Sequence, residues 1–348
     1  MKKYPINKLG IVGGNLTSAL ICLEASKKGI KTLLLDKTIG NVAAEFATQH
    51  ILAESTKENI EKLILRVDTL MFSTSVIPTS GKYRQIEVPT YPDKEGIEML
   101  ESRVQLLNLA TSLEIPVPNY YYQNNKEDVF EKLNSIHLPF TFYQIYEDKY
   151  ESIDILNERD IQSFIYEVDE DAKEWLIEQI NDYHKILSIT VLKDQDGKVC
   201  AYPVVEEMIE DEDVNYINVP ADITKAANQK ITRYAKKLIK EIDTQGLFTL
   251  KFGMKKNKSL EFMHISPGIT IGDIATLHYF DLSVYEQYVN MVCGIGIIEP
   301  TLLKPSTVII TKQDDLPVGM KLPYHLYVVD KDTDSPIKIY IKGREETE

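Results

Sequence analysis

Residues 8–36 constrain this chain more than any other stretch. Leu9, Ile11 and Val12 make a short apolar run ending in Gly13 and Gly14, Leu16, Leu20 and Leu23 then recur at helical spacing, and Thr32 to Asp36 makes a second apolar run. Apolar runs too short for a helix read as buried strands, and a three-to-four repeat reads as an amphipathic helix. Strand, glycine turn, helix and strand in this order predict a βαβ unit, whose crossover is right-handed almost without exception. The N-terminal part of the chain is therefore expected to hold a Rossmann-like parallel sheet.

The same stretch is the first candidate site. Backbone amides at a glycine turn that opens a helix attract phosphate, and an acid ending the next strand can take a ribose hydroxyl. Gly13, Gly14, Asn15 and Asp36 are thus candidate ligand-binding residues for a small phosphorylated molecule, with an NAD-dependent oxidoreductase as one alternative. The glycines do not follow the G-x-G-x-x-G spacing of dinucleotide folds, and a tight strand-to-helix turn needs glycine with or without a ligand.

Charge and cysteine content narrow the classes. Against 53 acidic side chains stand 39 basic ones, a net charge of −14, which repels polyanions, and no basic stripe with interleaved aromatics appears, so no nucleic-acid partner is expected. Cys22, Cys200 and Cys293 lie far apart with no C-x-x-C, which argues against a disulfide framework or a cysteine zinc site. No apolar run is long enough to span a membrane, so a cytoplasmic protein without a membrane partner is expected.

Further along, Pro89 and Pro92 precede a helix through Leu100, Val104, Leu107 and Ala110 that stops at Pro116 and Pro118, the pattern of a domain junction. Residues 119–185 mix short strands and helices. Leu187–Leu192, the turn Asp196-Gly197 and Val199–Val205 read as a hairpin, as do Leu247–Met254 and Ser259–Ile265 around Lys256-Asn257. Between the hairpins, Ile231, Tyr234, Ala235, Leu238, Ile239 and Ile242 line one face of a helix. Short strands at 308–311, 325–330 and 337–341 are expected to cap what precedes them. Four segments follow: 1–100, 101–185, 186–300 and 301–348.

The order of these segments resembles the ATP-grasp enzymes, in particular the carboxyaminoimidazole ribonucleotide synthetases of purine biosynthesis, from about Lys8 to Gly296. The residues that carry the resemblance are Gly13-Gly14-Asn15-Leu16-Thr17-Ser18 against G-G-G-Q-L-G-R-M, the linker helix Glu101–Pro118, Leu138-Pro139, and Ile177-Glu178-Gln179-Ile180. Tyr202-Pro203-Val204-Val205-Glu206 against Y-P-x-x-E-N and Ser283-Val284-Tyr285-Glu286-Gln287 against S-Q-F-E-Q complete the set. The resemblance implies an α/β ATP-grasp fold with an N-terminal Rossmann-like (preATP-grasp) parallel sheet, a small α+β middle domain and an α+β C-terminal domain. It also implies ATP and Mg²⁺ as cofactors, a ribonucleotide substrate carboxylated from bicarbonate, and by analogy a homodimer.

Carried over residue by residue, the resemblance places Arg103 on an ATP-contacting arginine and Glu178, Gln179 and Ile180 on the hinge that meets adenine. Elsewhere the chain departs from the family. Tyr143 stands where the family has a lysine, in a segment whose Glu147, Asp148 and Glu151 replace a glycine loop; Ile186 stands for the ribose-binding glutamate, and Ile209 for a histidine. Lys251 stands at the first metal glutamate, and Met263 and His264 at the second metal pair. A lysine repels Mg²⁺, which prefers hard oxygen ligands, and losing one preorganised donor alone costs catalysis about a hundred- to a thousandfold.

These departures predict a catalytically degenerate homologue, with no catalytic residue and no metal site, that binds a phosphorylated small molecule or serves regulation. The competing expectation is an active ATP-dependent carboxylate–amine ligase with ligands supplied from elsewhere, such as Glu206 or Glu261. Lys251, between Leu250 and Phe252, is expected in a structural ion pair with Glu206 or near His264. The acidic run Glu206–Asp213 lacks calcium-loop spacing and reads as a solvated loop.

Overall fold

The computed structural model describes residues 6–73, 88–133, 135–146, 150–164, 171–209, 214–312, 323–329 and 336–344. Glu147 and Asp148, expected to repel a triphosphate, and the end of the acidic run lie outside the described residues.

Strands β1 (Lys8–Val12), β2 (Lys31–Asp36), β3 (Gln49–Leu52), β4 (Thr69–Phe72) and β5 (Thr90–Tyr91) form a parallel sheet in the order β3-β2-β1-β4-β5. Chain order reverses at β1, which pairs with β2 on one side and β4 on the other, as in doubly wound sheets. The middles of β1 and β2 are apolar because both faces are covered: Ile11 and Leu34 face one cluster, Val12, Leu33 and Leu35 another. The helix Leu16–Lys27 follows β1, capped by the Asn15 side chain, which accepts from the Ser18 amide.

A second sheet holds β6 (Tyr120–Gln123), β7 (Phe140–Ile145), β8 (Tyr150–Ile155) and β9 (Glu174–Gln179) in the order β6-β9-β7-β8, all pairs antiparallel. Phe140, Phe142, Trp175 and Ile177 alternate inward onto the helix Lys126–Leu133 through Val129 and Leu133.

The remaining strands are β10 (Lys185–Lys193), β11 (Val199–Ala201), β12 (Val205–Ile209), β13 (Val214–Val219), β14 (Gly246–Met254), β15 (Leu260–Pro267), β16 (Ser306–Thr311), β17 (His325–Val329) and β18 (Ile337–Gly343). They build a nine-stranded sheet in the order β15-β14-β10-β12-β13-β16-β18-β17, with β11 paired to β10. The tail strands extend this sheet, β16 running antiparallel to β13 from Ser306 opposite Val219 to Thr311 opposite Val214. The helix Lys225–Glu241 buries Ile231, Tyr234, Ala235, Leu238 and Ile239, the face its sequence repeat predicts. Its C-terminal carbonyls at Ile239, Lys240 and Ile242 all accept from Lys193 Nζ at 2.7–3.2 Å, a cation where the helix dipole favours one.

The chain divides into two compact units, Met1–Glu101 with Lys185–Phe252 and His264–Glu348, and Ser102–His184 with Gly253–Met263. Within the first, the parallel sheet and the large sheet are tied together: Asp93 accepts from the Thr244 hydroxyl at 2.6 Å and the Gln245 amide at 2.9 Å, and Lys28 pairs with Glu286 at 3.2 Å. The three cysteines are buried and free, and among the described residues no helix is long and apolar enough to cross a membrane.

Candidate functional site

The glycine turn after β1 is knit together by its own residues. Gly13, at φ 94°, donates its amide to the Leu35 carbonyl at 3.0 Å, and its carbonyl accepts from the Ser18 hydroxyl at 2.6 Å. Gly14 donates its amide to Asp36 Oδ2 at 2.8 Å, while Asp36 Oδ1 accepts from the Thr38 amide at 2.7 Å and from Asn41 Nδ2 at 3.2 Å. A Cβ on Gly14 would meet Asn41 Oδ1 at 2.5 Å. The amides that the sequence offers to a phosphate are thus engaged inside the fold, and the acid it offers to a ribose holds the turn closed. Asn15 is engaged as the helix cap.

In the second unit the structure brings Arg103, Tyr143 and Glu178 together. The helix Arg103–Ser112, capped by Ser102, presents Arg103 to Glu178 near the end of β9, and the guanidinium binds both carboxylate oxygens through Nε, at 2.8 Å, and Nη2. Burial opposes the Arg103 charge, but the hydrogen bond and charge of Glu178 outweigh it and hold the proton more tightly than usual. Arg103 Nη1 is buried without a hydrogen-bond partner among the described residues. Tyr143 lies on β7, its phenol pushed up to about 12 by burial and the nearby Glu178 charge. Of the hinge residues, Gln179 donates its amide to the Asn119 carbonyl and its side chain to the Pro139 carbonyl, and the Ile180 amide also donates to Pro139.

Close by in the same unit, Glu261 accepts from Asn181 Nδ2 and the Tyr183 hydroxyl, each at 2.9 Å, and pairs with Lys255 at 2.6 Å. The Tyr183 ring lies so close to Gly253 that a Cβ there would meet it at 2.2 Å. Gly253→Ala is therefore expected to displace the ring and cost about 1–3 kcal/mol, the range for overpacking a filled site, read as a lowered urea midpoint. An unchanged midpoint would show that the ring yields freely.

In the first unit one face of the large sheet carries a polar row that sequence reasoning largely missed. Alternation places Ile186, Ser188 and Thr190 on one face of β10, and Thr249 and Lys251 share a face of β14. Lys251 Nζ pairs with Glu207 Oε2 at 2.7 Å, not with Glu206 as expected, and the other Glu207 oxygen accepts from the Ser188 hydroxyl. Adjacent strand residues point to opposite faces, so Glu206 turns away and pairs with Lys185 at 2.9 Å. Deeper in the row, buried Asp273 Oδ2 accepts from the Thr190 hydroxyl at 3.1 Å and from the Thr270 amide and hydroxyl at 2.8 and 2.9 Å. Thr270 and Asp273 form a capping box, which the T-x-x-D spacing could have signalled; the selection of Glu207 over Glu206 has no such signal. Met263 and His264 sit on β15, His264 exposed, and Ile209 ends β12.

Residues 108–269 match the ATP-grasp domain, and the Rossmann-like sheet, small antiparallel sheet and large sheet in this chain order are the fold of the carboxyaminoimidazole ribonucleotide synthetases. It is similar to the N5-carboxyaminoimidazole ribonucleotide synthase of Bacillus subtilis, 21% identical over 99% of this chain and 89% of that protein. It is also similar to the phosphoribosylaminoimidazole carboxylase of Candida glabrata, 24% identical over 82% of this chain, which spans about half (52%) of that longer protein. Among solved structures, the N5-carboxyaminoimidazole synthetase of Staphylococcus aureus complexed with ADP superposes with a TM-score of 0.82 at 20% identity, covering 99% of this chain and 95% of that one.

The side chains at the metal positions implied by the resemblance do not fit a magnesium ion. Mg²⁺ is held by carboxylates and waters in near-octahedral array, whereas here one position carries an ammonium and the others a thioether and an imidazole. Carboxylates within each unit are engaged as well: Glu207 with Lys251 and Glu206 with Lys185 in the first, and Glu261 with Lys255 in the second.

Proposed function

We propose that this chain is an ATP-dependent carboxylate–amine ligase of the carboxyaminoimidazole ribonucleotide synthetase type, joining bicarbonate to the amine of an aminoimidazole ribonucleotide. Similarity to synthetases along nearly the whole chain supports this reading. The observation that carries it is Arg103, whose Nη1 is buried with no partner among the described residues while the rest of the guanidinium is fixed by Glu178. Buried donors are almost always satisfied, and a fixed guanidinium with one unpaired edge suits a phosphate oxygen. ADP release that depends on both bicarbonate and aminoimidazole ribonucleotide is the expected result, and no release at high enzyme concentration removes the reading.

One observation favours a second reading, a non-catalytic homologue that binds a phosphorylated ligand. The Lys251–Glu207 pair occupies a carboxylate that a metal would need, and phosphoryl transfer depends on neutralising charge as it develops. In this reading ADP or a ribonucleotide binds without turnover.

A further inference from the structure

We infer that the stacked imidazoles of His278 and His325 form a pH-sensitive latch, holding the edge strand β17 against the helix Thr276–Tyr279 near neutral pH and releasing it on acidification. The inference goes beyond the ligase reading and does not depend on it, since every residue it uses lies in the first unit. β17 ends one side of the nine-stranded sheet and, among the described strands, pairs with β18 alone. Leu326 and Val328 are exposed, at 46% and 42%, so the strand is held by its opposite face, which carries His325, Tyr327 and Val329. Tyr327 and Val329 pack on the same core cluster as Leu277 and Tyr279.

The two rings lie 3.5 Å apart between centroids and 6° from parallel, and His278 Nε2 is 2.8 Å from the Tyr327 hydroxyl. Neutral imidazoles stack at that distance, whereas two imidazolium ions repel there, because like charges in a partly dry site are weakly screened. The groups around the pair do not offset that repulsion. His325 and Tyr327 come from β17, and Tyr279 comes from the helix of His278 itself. Tyr285, on the helix Val284–Val292, lies near Tyr327, and Lys304 and the Tyr279 ring both border Gly343. None of these is a carboxylate, and among the described residues the charge that acts on His278 is that of His325. Burial and that charge push His278 down from 6.5 to about 4.

Linkage gives the direction. With β17 released, His278 regains its ordinary value, so the released form binds more protons than the docked form between about pH 4 and 6.5. Docking is therefore at full strength above 6.5 and weakens as pH falls toward about 4. A pair partly open to water keeps only part of the limiting effect, so the docking equilibrium is expected to shift on the order of tenfold between about pH 7.5 and about pH 5.

Hydrogen–deuterium exchange of the full chain, read by mass spectrometry at about pH 7.5 and about pH 5 and corrected for intrinsic rates, tests the latch. Peptides over β17 should lose about tenfold in protection at the lower pH, while those over β13 and β16 keep theirs. His278→Phe keeps an aromatic ring in the stack and removes the titrating group, so β17 in that variant should be protected alike at both pH values. His325→Phe removes the companion charge but leaves His278 buried, so the pH dependence should shrink without vanishing. Circular dichroism melts at the higher pH show whether each variant folds, and His325→Phe decides the matter if His278→Phe does not. Wild-type β17 protected equally at both pH values, or unprotected at the higher one, overturns the inference. So does a loss of protection spread evenly over the large sheet, or an undiminished pH dependence in either folded variant.

Discussion

Arg103→Ala is expected to lower unfolding free energy by about 3–5 kcal/mol, the cost of leaving one member of a buried ion pair without its partner. Both side chains are largely enclosed, at 12% and 9% exposure, and the Arg103 guanidinium spans both oxygens of Glu178. Without the guanidinium, a carboxylate remains facing Tyr143 and the strands of the second unit. The paired replacement Arg103→Met with Glu178→Leu should recover most of the loss, because removing both charges also removes their desolvation cost. Urea unfolding of the single and double variants measures both. A loss below about 1 kcal/mol for Arg103→Ala would mean that the pair behaves as an exposed one.

Asp273→Ala is expected to cost about 3 kcal/mol, because the Thr190 hydroxyl and the Thr270 amide and hydroxyl lose their acceptor inside the protein. Asp273→Asn keeps an acceptor oxygen and separates hydrogen bonding from charge. Burial raises the Asp273 carboxyl above its ordinary value of 3.8, against the opposing pull of its Thr270 and Thr190 hydrogen bonds. The folded protein thus keeps this proton to a higher pH than the unfolded chain does. The resulting stabilisation is complete below 3.8 and drains away as pH rises through the folded-state value. Stability of the wild type relative to Asp273→Asn should therefore fall with rising pH across that window. A difference that rises instead would show that the hydrogen bonds outweigh burial.

The parallel sheet was legible because its signals are local. Leu9 to Gly14 and Thr32 to Asp36 carry strand, turn and strand around one helix, and β1 and β2 pair in parallel, Leu9 opposite Thr32. The helix Lys225–Glu241 was equally plain, since a three-to-four repeat of apolar residues has one face to bury. The glycine turn was legible as a turn, whereas the closure of the Gly14 amide onto Asp36, 22 positions away, was not.

Sequence by itself determined the classes of element, their order and the resemblance that order supports, because helix and strand periods are written in neighbouring residues. The tertiary structure decided which charges meet. Lys251 lies 44 positions from Glu207 along the chain, and Arg103 lies 75 from Glu178. Which of two adjacent glutamates receives the ammonium depends on the face each presents once β12 takes its place in the sheet. Pairing across such distances follows from strand register and packing, which no local pattern encodes.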